Sequence, residues 1–151
     1  MYDWLRPDLD GKPRPLNIRR GMDNLYFERQ GEKARAELIS NPVLLEEGSD
    51  WQLFNLATHP THLYDIQRYH FKSSVTICTG NRFHVLSLVE GKSIVVITGN
   101  GFRKRFSYAE TFIVPAASGS CLVENESEEP AILVLAFVKQ ESMDRHKKLS
   151  K

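Results

Sequence analysis

Residues 83–99, FHVLSLVEGKSIVVITG, decide the fold. Two short runs rich in β-branched and aromatic residues flank the turn signal EGK at 90–92, which reads as a β-hairpin. Working outward, the same rhythm extends over everything after Asp50. WQLFNLAT, LYDIQRYHF, SVTICT, RKRFSY, ETFIVP, GSCLVEN and AILVLAFVK follow one another, broken by TGNR at 79–82, TGNGF at 98–102 and NESEEP at 125–130. Turn signals every eight to twelve residues or so mark an all-β sandwich or barrel. In 64–71, Tyr64, Ile66, Arg68 and His70 alternate with Asp65, Gln67, Tyr69 and Phe71, the period of a strand with two different faces. ILVLAFV is apolar on both faces, which places it mid-sheet or under a cover. The expectation is a predominantly antiparallel β-sandwich over 51–139.

The texture changes near NPVLLEEGSD at 41–50. Residues 1–50, dominated by glycine, proline and charge, read as a linker with one short helix over Asn17–Leu25. There Ile18, Met22 and Leu25 recur at i, i+4 and i+7, and Gly21 weakens the pattern. Residues 140–151 read as a basic, disordered tail, its cations clustered between Arg145 and Lys151.

Among 151 residues, 20 Lys and Arg stand against 19 Asp and Glu, so there is no broad positive field to neutralise a phosphate backbone, and nucleic acid is excluded as a partner. No run approaches the roughly 18 apolar residues of a membrane helix, and the N-terminus lacks the basic-then-apolar order of a signal peptide. A cytoplasmic location is expected, with Cys78 and Cys121 as half-buried, unpaired thiols.

Several motifs fall short of a site. In HPTH, His59 and His62 stand three apart around a proline, whereas strand residues share a face at spacing two, so a turn is expected instead of a metal pair. DLDGK at 8–12 begins like a calcium loop, but Lys12 and Arg19 occupy ligand positions, leaving a tight turn with Gly11 at positive φ. GNG at 99–101 lacks the strand-to-helix setting of a dinucleotide site and reads as a hairpin turn. A reactive Cys78 or Cys121 needs a base beside it; His84, six residues after Cys78 across a turn, faces it if the two strands pair.

With ETFIVPAASGSCLVEN at 110–125, the opening stretch resembles the two halves of the cupin signature. Pro115 and Gly119 mark the turn of the second half and Asn125 closes it. The resemblance implies a jelly-roll barrel around a metal held by histidines and a glutamate. Counting back from Gly91, the glutamate position holds His84, and the two histidine positions hold Ile77 and Thr79 or, in the shorter register, Cys78 and Gly80. The remaining histidine position falls on Cys121 or Leu122. No register supplies the cupin ligands; His84 with Cys78 or Cys121 is the residual metal-binding alternative.

The opener YDWLRPDLDGKPRPLNI and the ending AILVLAFVK make the resemblance more specific: up to about Lys139 the chain is similar to the C-terminal, metal-free cupin half of bacterial type I mannose-6-phosphate isomerases. That family interconverts an aldose and a ketose phosphate through an enediol, with zinc held in its N-terminal half. Its catalytic arginine precedes the tyrosine and aspartate that match Tyr2 and Asp3; here Met1 fills the intervening position and the arginine falls outside the chain. The implied function is a non-catalytic cupin module with no catalytic residue, metal or cofactor of its own. Its partner would be a catalytic half or a second copy, and sugar phosphate would be met only indirectly. Arg6, Lys12 and Arg14 read as solvated charges. Tyr2 and Trp4 read as the stranded end of the catalytic half's last strand. The alternative is a stand-alone cupin that binds a metal or a sugar through His84 and Cys78 or Cys121.

Overall fold

The computed structural model describes residues 6–142 and 144. Tyr2, Trp4 and the basic run Arg145–Lys151 lie outside the described residues, so the expectations placed on them are not addressed.

The chain divides into two compact units between Ile39 and Ser40. The first contains two helices, α1 (Ile18–Asp23) and α2 (Gly31–Leu38), where the sequence leads to one. α1 forms despite Gly21, whose amide donates to Asn17 O at 3.0 Å. α2, GEKARAEL, carries almost no apolar periodicity, so nothing in its pattern distinguished it from a charged linker; an Arg35–Glu32 pair at 3.2 Å lies along its surface. Ahead of them DLDGK makes the expected tight turn, with Gly11 at φ +75° and Asp8 N donating to Lys12 O at 2.8 Å.

The second unit consists of two antiparallel sheets. Its strands are β1 (Val43–Glu47), β2 (Trp51–Asn55), β3 (Tyr64–Phe71), β4 (Ser74–Cys78), β5 (His84–Glu90), β6 (Ser93–Thr98), β7 (Arg103–Ser107), β8 (Thr111–Val114), β9 (Ser120–Asn125) and β10 (Ala131–Val138). One sheet runs β1-β2-β3-β10-β5-β8 and the other β4-β9-β6-β7. The apolar run of β10 lies mid-sheet, between β3 and β5, as its lack of alternation requires. β1 lies inside the stretch read as linker: it pairs with β2 through Val43↔Asn55 and Leu44↔Phe54, with a bulge before Glu46. All five of its residues are exposed. An edge strand with every residue exposed leaves no burial pattern to read.

Facing positions build one core. Phe71, Leu86, Leu88, Leu133 and Leu135 from the larger sheet meet Val75, Ile77, Ile94, Val96, Cys121 and Val123 from the smaller. Burying each large aliphatic side chain contributes about 1.5–3 kcal/mol. Val95, on the outer face of the smaller sheet, is also buried. It lies beside Arg105 and Glu124, under the ion pairs Arg103–Glu124 (3.0 Å) and Arg105–Glu126 (2.7 Å). The stems of these long side chains shield apolar surface on this face.

The turns that set strand order are chemically specified. Gly91 has φ +103°, and a Cβ there would lie 3.1 Å from the Ala131 side chain. Asn125, the residue that closes the second cupin-like half, ties two loops together: its amide NH2 donates to Lys72 O and Glu129 O, each at 2.8 Å, and its Oδ1 accepts from Ser127 N at 3.1 Å. Among the described residues no helix is long and apolar enough to cross a membrane.

Candidate functional site

Alternation decides which of the two possible ligand registers faces the barrel. β4 turns Val75 and Ile77 inward and Cys78 outward, β9 turns Cys121 and Val123 inward, and β5 buries His84, Leu86 and Leu88. The inward set is therefore Ile77, Thr79, His84 and Cys121. Their chemistry does not suit a metal. Ile77 has no donor atom. The Thr79 hydroxyl already shares its one proton between Ala116 O and Gly119 O, both at 3.1 Å, holding the 3₁₀ turn Ala116–Ser118 against the end of β4. Burial pushes the Cys121 thiol up to about 11, so the free thiol stays protonated near neutral pH. Among the described residues no group of three or more His, Cys, Asp or Glu comes together.

Two sequence expectations about the cysteines need correction. Cys78 is exposed, not half-buried, while Cys121 is buried; both are free thiols. Nor do Cys78 and His84 lie on paired strands, because β4 and β5 belong to different sheets. The turn between them crosses from one sheet to the other, which a hairpin reading of 79–82 does not anticipate. The stand-alone alternative therefore loses Cys78 and narrows to His84 with Cys121.

His84 is the unusual group. It is 4% exposed, between its ladder partners Val114 on β8 and Phe137 on β10. Its ring packs at a tilt on Phe137, with centroids 5.5 Å apart. The Arg82 guanidinium also lies over Phe137, at 4.6 Å, and donates to Val138 O at 3.3 Å. Among the described residues neither ring nitrogen of His84 has a hydrogen-bond partner. Burial first, and then the nearby Arg82 charge, lower its pKa, so the imidazole is neutral at pH 7.

The other described histidines and the first-unit cations have surroundings of their own. His59 and His62 lie in an exposed turn with rings 5.7 Å apart, His59 beside the Thr61 hydroxyl at 2.8 Å and His62 stacked on Tyr64. His70 points out from β3 onto Phe54. Arg6, Lys12 and Arg14 are exposed side chains of the first unit, where Lys12 pairs with Asp10 at 3.7 Å.

A cleft of about 590 Å³ opens between the β6–β7 hairpin and β8, walled mainly by Val96, Phe102, Phe106, Phe112 and Val114. Phe106 and Phe112 stack across the gap between the two sheets, with centroids 3.8 Å apart. On the rim, Asn100 Oδ1 accepts from the Thr98 hydroxyl at 2.5 Å and from Phe102 N at 3.2 Å. TGNGF is thus the hairpin turn expected of it, with Gly101 at φ +83°, but it also shapes the cleft mouth. In the sequence these phenylalanines look like ordinary strand residues, and only the approach of β7 and β8, edge strands of two different sheets, brings them together.

This architecture is the cupin β-sandwich. No protein-family profile matches the sequence, and no curated protein does either. Solved structures do match. Mannose 6-phosphate isomerase from Bacillus subtilis superposes with a TM-score of 0.63 at 15% identity, over 89% of this chain and 38% of that one. The cupin domain of Schizosaccharomyces pombe Cnp3 gives 0.50 at 12% identity, over 64% of this chain and 66% of its own. Rru_A2000 from Rhodospirillum rubrum, a cupin-2 domain, gives 0.54 at 9% identity, over 67% and 70%. The chain thus spans well under half of the isomerase. At these identities the likeness establishes the fold.

Proposed function

We propose that this chain is a non-catalytic cupin module of a mannose-6-phosphate isomerase-like protein, which packs against a catalytic half and helps to wall its sugar-phosphate cleft. The observation that carries this reading is the superposition of 89% of the chain on little more than a third of the isomerase. The opener YDWLRPDLDGKPRPLNI supports it, as does an interior whose ligand positions hold Ile77, Thr79 and Cys121 beside the lone histidine His84. Zinc and the proton-transfer groups of the family reaction would then come from the catalytic half, and this chain would contribute shape and buried surface. A cytoplasmic setting accords with two unpaired thiols. The test is turnover of mannose 6-phosphate by the purified chain with added zinc. None is expected; turnover that a chelator abolishes overturns the reading.

A further inference from the structure

We propose that the cleft between the β6–β7 hairpin and β8 is a binding site for a small neutral molecule that carries a planar ring and one acceptor oxygen. Its volume, about 590 Å³, is that of a small-molecule pocket and too small for a folded segment. No ionisable side chain lines it, so it offers nothing to balance the charge of a phosphate or carboxylate. Lys104, a cation of the adjoining strand, lies over the Phe106 ring at 6.0 Å, while Arg103 and Arg105 are paired with Glu124 and Glu126. The Phe102 ring presents aromatic surface in the cleft, against which a planar ring packs well, while Phe106 and Phe112 stack on each other's faces. Phe102 lines the same cleft yet stays 59% exposed, apolar area that folding leaves uncovered and a ligand would cover. Because Thr98 and Phe102 occupy Asn100 Oδ1, the amide NH2 of Asn100 is left to donate to an acceptor oxygen at the rim. This site is independent of the module reading, since it needs no catalytic half.

The test uses the full chain and benzyl alcohol as the probe, followed through backbone amide shifts, with benzoate and mannose 6-phosphate as charged comparisons. Saturable shifts are expected at Thr98, Gly99, Asn100, Phe102, Ala117 and Ser118, with a dissociation constant in the low millimolar range, as befits about eight heavy atoms. Benzoate should bind at least about tenfold more weakly, the cost of desolvating its charge without a partner. Ala117→Trp, at an exposed position, should fill the mouth and abolish binding; Phe102→Ala should weaken it about fivefold or more through lost ring contact; and Tyr108→Ala, outside the cleft, should leave it unchanged. Non-saturating or scattered shifts, equal binding of benzoate, or saturable binding of mannose 6-phosphate at these residues each overturn the proposal. So does a dimer that dissociates in Phe102→Ala while benzyl alcohol fails to bind, which would assign the cleft to a second copy.

Discussion

Replacing His84 with leucine should stabilise this protein. The imidazole is 4% exposed, and both nitrogens lack a partner among the described residues. A buried polar group without a hydrogen bond costs about 1–3 kcal/mol in desolvation, and leucine, of similar size, fits among Val114, Leu86 and Phe137 with no polar atom to satisfy. Subtracting a fraction for the altered shape leaves an expected gain of about 1–2 kcal/mol, which raises the melting temperature by about 3–8 °C. The pH dependence supplies a second signature. The folded pKa of His84 lies below its ordinary 6.5, so as pH falls below about 6.5 the unfolded chain takes up a proton that the folded chain refuses. Stability therefore drops with acidity in the wild type, until the folded form too is protonated, and should drop less steeply in His84→Leu. Part of the acid sensitivity persists through His70, whose pKa is also lowered by burial, with the Arg68 charge as a smaller cause. Urea unfolding followed by tryptophan fluorescence at pH 7.5 and 5.5 measures both effects. A loss of more than about 1 kcal/mol in His84→Leu at pH 7.5 would refute the reasoning, because it would mean that the ring nitrogens have a partner worth keeping.

Gly91→Ala should cost about 1–3 kcal/mol, since its φ of +103° is strained for any side chain and the new Cβ would press on Ala131; a thermal melt measures this. Cys78 should react with a thiol reagent in the native protein while Cys121 reacts only once the chain unfolds, giving one titratable thiol before urea and two after. Asn125→Ala should lose about 1–2 kcal/mol and speed hydrogen exchange in the β3–β4 and β9–β10 loops, which its side chain ties together.

The hairpin at 90–92 was legible because a glycine at positive φ and β-branched flanks are local properties. The central position of β10 was legible from a second local property, apolarity on both faces. β1 was not, because an exposed edge strand is defined by what it pairs with. The separation of Cys78 from His84 depends on a chain crossover at 79–82, and sequence spacing is silent on which sheet a strand joins. His84 could be singled out by position in the motif, but its lack of partners is a property of its neighbours on β8 and β10. The cleft rests on Phe106 and Phe112 meeting from two different sheets. Each is an unremarkable strand residue in its own stretch.

The central claim, a packed barrel interior that holds no metal of its own, is tested most directly by elemental analysis of the full chain after incubation with zinc and desalting. The account predicts zinc far below one equivalent per chain, unchanged in His84→Ala. Near-stoichiometric zinc that His84→Ala abolishes would contradict it.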